Sequence, residues 1–74
     1  MKKPDKAFET GLQLLGKYDL DMASLYFENA AENFLEINEV EKAILSYEKL
    51  LYCFEELEKT DLADETREKI KKLK

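Results

Sequence analysis

The chain has no histidine, no tryptophan, one cysteine, one proline and two glycines in 74 residues. Without histidine there is no Ser–His–Asp or Cys–His nucleophilic system, and most zinc sites and the Glu-x-x-His pairs of di-iron bundles are excluded. The single thiol, Cys53, has no partner for an internal disulfide and builds no metal cluster. It falls at the edge of an apolar helical arc with no base nearby, which reads as a buried, unreactive side chain. Gly11 and Gly16 both precede residue 17, match no nucleotide-binding fingerprint, and leave little turn chemistry for a β-protein. No apolar run approaches the roughly 18 residues of a membrane span, so membrane insertion is not expected. Met1, Lys2, Lys3, Pro4 and Asp5 lead straight into a mixed polar helix, not a secretory leader, and the expected location is cytoplasmic. The expectation is a protein that is not an enzyme and carries no cofactor or metal.

What the chain does contain is helix-forming material. Apolar residues make up 45% and charged residues 39%, with Ala, Leu, Glu and Lys prominent. The class expected is all-α, in one domain over residues 1–74. A chain this short buries only about 60% of its extended-chain surface, so the core must be small.

The net charge of −5 is unevenly spread. Residues 1–17 hold four Lys against Asp5 and Glu9, a net +2. Between Tyr18 and Glu58 eleven acids meet only Lys42 and Lys49, a net −9. From Lys59 to Lys74 six bases meet four acids, again +2. The acidic middle repels phosphate backbones and argues against nucleic acid. Lys69, Lys71, Lys72 and Lys74 suit the C-terminal end of a helix dipole, or contact with an acidic surface.

Four helices are expected, at about residues 5–15, 20–36, 39–58 and 61–73. Pro4 fits a first helical turn, and Gly16 can supply a left-handed terminating residue. Asp19 is placed to cap the second helix. Asn38, with Glu41 three residues on, has the pattern of a capping box for the third. Short connections make neighbouring helices antiparallel.

Residues 19–36 and 39–56 nearly repeat each other. Ala23 lies over Ala43, Leu25 over Leu45, Phe27 over Tyr47, Glu28 over Glu48 and Phe34 over Phe54. A fixed period of this size marks stacked helical units, which chiefly present surfaces to other proteins. At about 100° per residue, Leu20, Ala23, Tyr26, Phe27, Ala30, Ala31, Phe34 and Leu35 span half of the second helix. Val40, Ala43, Ile44, Tyr47, Leu50, Leu51, Phe54 and Leu57 do the same on the third. Arcs this wide require two neighbours for each helix. In the fourth helix Arg67 and Lys74 replace the aromatics, leaving a thin stripe of Leu62, Thr66, Ile70 and Leu73. That is the pattern of a cap.

Gly11, Ala23, Phe27 and Ala30 have the spacing of the helix-packing positions in tetratricopeptide repeats, which residues 8–58 resemble. The longer helices and twenty-residue period are more similar to the SNAP-like branch of that family. The alternation of aromatic and alanine in the second helix also resembles the microtubule-interacting and trafficking domain. The resemblance implies a right-handed stack of helical hairpins and protein or peptide binding without chemistry. The chaperone-tail clamp of some tetratricopeptide domains is not matched, because the middle helices carry acids where that clamp uses Lys and Arg.

Leu25, Leu45 and Tyr52 point away from the main apolar arcs. Either their helices are buried more deeply than the arcs suggest, or they form an exposed patch. With Glu28, Glu32, Glu41, Glu48 and Glu55 nearby, such a patch suits a basic or amphipathic peptide or helix. The expected function is a protein-interaction adaptor with an acidic helical surface. The alternatives are a self-associating structural bundle, a homo-oligomer built through the same patch, and a trafficking module like the third family above. Glu28, Glu32 and Glu36 form a ridge of like charges, which reads as a solvated face before it reads as a cation site.

Overall fold

The computed structural model describes residues 4–74; Lys2 and Lys3 of the basic leading segment lie outside them. The helices are α1 (Pro4–Gly16), α2 (Leu20–Glu36), α3 (Val40–Glu56) and α4 (Thr60–Leu73). There is no strand among the described residues. The fold is all-α, with each helix end within two residues of its expected place.

Every connection is a three-residue turn of the same shape. Its middle residue is left-handed: Tyr18 (φ 58°), Asn38 (φ 61°) and Glu58 (φ 59°). The following N–H then reaches back five residues, from Asp19 to the Leu14 carbonyl (2.9 Å), from Glu39 to Phe34 (2.8 Å) and from Lys59 to Phe54 (2.9 Å). This closure satisfies carbonyls that the helix end leaves orphaned. Two expectations change as a result. Gly16 remains inside α1, and Tyr18 takes the left-handed position instead. Asn38 is not the cap of α3, because it occupies the left-handed site one residue earlier, a conformation Asn tolerates better than most residues. The cap falls on Glu39, which makes no side-chain bond, so no capping box forms. Asp19 does cap α2, its carboxylate accepting from the Met22 N–H at 3.4 Å.

Helices pack on their sequence neighbours, α1 on α2, α2 on α3 and α3 on α4, and no other pair packs extensively. The molecule measures 30 × 26 × 14 Å. A seventeen-residue helix is about 25 Å long, and four axes spaced about 8–10 Å apart account for the long dimension. A closed bundle would bring α4 back onto α1; here the succession of packed neighbours stays open. Directions alternate along the row. Lys42, at the start of α3, pairs with Asp5, at the start of α1 (3.6 Å), and Asp21 of α2 pairs with Lys59, next to the start of α4 (3.6 Å).

The two middle helices are covered on both flanks, as their wide arcs require. Leu20, Ala23, Phe27, Ala30, Ala31 and Phe34 of α2 are buried, as are Ala43, Tyr47, Leu50 and Phe54 of α3. The buried arc of α3 is rotated from the expected one. Ser46 and Cys53 are fully enclosed, while Val40 is exposed and Ile44, Leu51 and Leu57 are half-buried. Small side chains at Ser46 and Cys53 let backbones approach where larger ones would hold them apart. The Ser46 hydroxyl costs little there, because it donates to the Lys42 carbonyl at 2.9 Å.

α1 is set by one close contact. A Cβ at Gly11 would lie 2.8 Å from the Phe27 ring, whereas one at Gly16 would meet nothing within 4 Å. Phe8 completes the joint, its ring edge-on to Phe27 with centroids 5.5 Å apart. At the other end α4 covers α3 through Ala63, Thr66 and Ile70. Leu62, expected in that stripe, is exposed instead, because Ala63 turns the narrow face toward α3. Arg67 is solvated and pairs with Glu55 and with Asp64 (2.7 Å).

Tyr47→Ala and Phe34→Ala should each lower unfolding free energy by about 3–5 kcal/mol in denaturant titrations, while Arg67→Ala should change it by less than about 1 kcal/mol. The glycines should respond with opposite signs. Gly11→Ala gains about 1 kcal/mol of helix propensity but overpacks the Phe27 ring by more, for a net loss of about 1–2 kcal/mol. Gly16→Ala should be neutral or stabilising by up to about 1 kcal/mol.

Candidate functional site

A row of alternating helices leaves the odd-numbered helices flanking α2 on one face of the slab. There α1 and α3 form the walls of a groove. One depression, of about 330 Å³, is lined by Leu15, Leu45, Glu48, Lys49 and Tyr52. A second, of about 140 Å³, is lined by Asp5, Phe8, Lys42, Leu45 and by Phe34 of α2 in the floor. Leu45 belongs to both and joins them. Leu45 and Tyr52 are each 44% exposed, so the deeper-burial reading of these side chains does not hold.

Polar bridges tie the walls at each end. Near the start of α1 and α3 the Asp5–Lys42 pair spans the groove, and Lys42 also reaches Glu39 (3.5 Å) and lies 5.8 Å from the Phe34 ring centre. At the other end the Tyr18 hydroxyl donates to the Glu56 carboxylate at 2.7 Å. That hydrogen bond, with the nearby Glu56 and Tyr52, holds the Tyr18 phenol above its usual pKa.

The residues expected to act together do not all meet. Leu45, Tyr52 and Glu48 share the groove. Leu25, although repeat-equivalent to Leu45 and 59% exposed, lines neither depression. A step of one helix along the row reverses direction and face together, so equivalent positions on α2 and α3 look out of opposite sides. Glu28 and Glu32 lie near Tyr47, whose phenol is raised in pKa first by burial and then by these two carboxylates. Tyr47 is about 200° around α3 from Leu45, so this acidic pair is on the face away from the groove. Lys69 stands over the Tyr47 ring at 5.7 Å on that side. Glu41 borders a shallow depression of about 360 Å³ at the α2–α3 turn, with Asn38, Glu39, Val40 and Lys42.

Three contributors to the groove escaped the reading of the sequence. Phe8 and Leu15 look like core residues of α1, and both are half-buried because their outer edges form the groove wall. Lys49 looked like one of two cations in an acidic segment. The available signal was the shared seven-residue spacing of Phe8 to Leu15 and Leu45 to Tyr52.

Chemistry finds little support. No group of three or more potential metal ligands occurs among the described residues. The Cys53 thiol is enclosed, and burial pushes its pKa up to about 11. No helix among the described residues is long and apolar enough to cross a membrane. Comparison with protein families, characterised proteins and solved structures finds no match.

A thiol reagent at pH 8 should leave Cys53 unmodified in the folded protein, since the thiolate is scarce below its raised pKa. Rapid labelling should appear only in denaturant, and mass spectrometry of the adduct checks both outcomes.

Proposed function

We propose that the protein is an interaction adaptor that seats an amphipathic segment of another protein in the α1–α3 groove. The observation that carries this reading is the exposure of Leu45 and Tyr52 in an apolar channel on a rigid frame. Concave apolar surfaces with a few polar groups are ordinary sites of peptide recognition. The outer side of α1 carries Lys6, Glu9 and Gln13, and that of α4 carries Asp64, Glu65 and Glu68, all exposed. Polar ends of this kind favour recognition through the groove over stacking of further helices.

The net charge of −5 supports a basic partner, drawn in by the long-range field. The likeness to tetratricopeptide and SNAP-like repeats supports the same class of function, and a right-handed stack belongs to that proposal. The protein acts without catalysis, cofactor or nucleic acid, in the cytoplasm. A second reading uses the groove as a symmetric contact between two copies of the chain, because an exposed apolar channel serves either purpose.

Partners recovered by affinity capture should be lost from Leu45→Glu and weakened by Tyr52→Ala, with circular dichroism unchanged. Retention of every partner by Leu45→Glu removes the groove from the function. Sedimentation at micromolar concentration separates the second reading, which requires a dimer that Leu45→Glu dissolves.

A further inference from the structure

The walls of the groove have a register that narrows its occupant, on the reading that the groove is the binding site. α1 and α3 start at the same end, so they run in the same direction. Leu15 and Tyr52 face each other across the first depression, and Phe8 and Leu45 across the second. On both walls the step is seven residues, about 10.5 Å along a helix. The groove therefore holds two apolar sockets about 10.5 Å apart, separated along α3 by Lys49.

That spacing discriminates between peptide conformations. In an extended strand side chains on one face recur about every 6.7 Å, so successive ones fall near 6.7 and 13.4 Å and miss the second socket. The walls are helices, whose backbone groups are already paired, and they offer no edge for strand addition. A helical occupant places side chains seven residues apart on one face at about 10.5 Å.

Charge supplies the remaining feature. Asp5 and Lys42 are paired with each other, and Glu48 lies 3.8 Å from Lys74. Lys49, half-buried in the first depression, makes no ion pair among the described residues. The unmatched charge inside the groove is thus positive, although the protein as a whole is acidic.

We infer that the groove takes an amphipathic helix with two large apolar side chains seven residues apart and a carboxylate between them that meets Lys49. A Leu-x-x-x-Glu-x-x-Leu pattern satisfies both demands. The rest of the helix is basic or neutral, as the overall field favours. The groove thus disfavours a helix whose apolar seam is interrupted by Lys at the central position.

The test uses the full chain and an alanine- and glutamine-based host helix carrying that pattern, followed by fluorescence anisotropy and by amide shifts at Leu45 and Tyr52. Moving the second Leu two positions back turns it off the seam and should weaken binding at least about tenfold. Replacing the central Glu by Lys should weaken it by up to about fivefold, and Lys49→Glu should restore the Lys-bearing helix. Equal binding of the shifted helix, no reciprocal effect at Lys49, or no shift at Leu45 and Tyr52 at millimolar host helix overturns the inference. So does tighter binding by a proline-rich peptide with Leu at every third residue. A captured partner that depends on Leu45 but ignores Lys49 leaves the adaptor reading standing and removes only the register.

Discussion

The contact between the Phe27 ring and the bare backbone of Gly11 sets the geometry of the rest of the molecule. Phe27 is wholly enclosed, with the Phe8 ring edge-on against it and no room for a Cβ on the α1 side. It fixes both the depth and the rotation of α1 on α2. Because Gly11 is turned inward, Phe8 and Leu15 are left on the flank, half in the core and half in the groove. A larger residue at Gly11 moves the wall, and with it the sockets. Close packing of this kind gives interiors little slack, so one glycine governs a surface it does not touch.

Beyond that joint the array is built by repetition. The same turn occurs at Tyr18, Asn38 and Glu58, each left-handed and each closed by a backbone bond five residues long. Left-handed Tyr and Glu cost about 1–2 kcal/mol relative to glycine, which the helix-end hydrogen bonds and the packing of the following helix offset. The consequence is a row in place of a bundle. Each helix buries its arc against the one before and the one after, and α4 ends the row because its apolar stripe covers only one neighbour.

Alternation of direction then divides the exposed side chains between two faces. The groove face gathers Phe8, Leu15, Leu45 and Tyr52, bridged at its ends by Asp5–Lys42 and Tyr18–Glu56. On the opposite side Glu28, Glu32 and Lys69 lie around the buried Tyr47 ring. A chain whose middle reads as uniformly acidic becomes a slab with an apolar groove, whose unmatched charge is Lys49, and an acidic ridge elsewhere. Partner selection then has two parts, a long-range field and a local fit, carried by different residues.

The all-α class, the four spans and the double coverage of α2 and α3 followed from the sequence, because helical periodicity and small-aromatic alternation are local properties written residue by residue. The Asp19 cap was legible for the same reason. Asn38 was misjudged because a helix start and a left-handed turn prefer the same residue type. Leu45 and Tyr52 were recognisable as apolar residues outside the arc, but their partners on α1 were not, since Phe8 and Leu15 serve core and groove at once. Whether Leu25 and Leu45 share a face was beyond the repeat itself. That depends on how one helix is carried onto the next in space, and only the tertiary arrangement, which reverses direction and face at every step, decided that they do not.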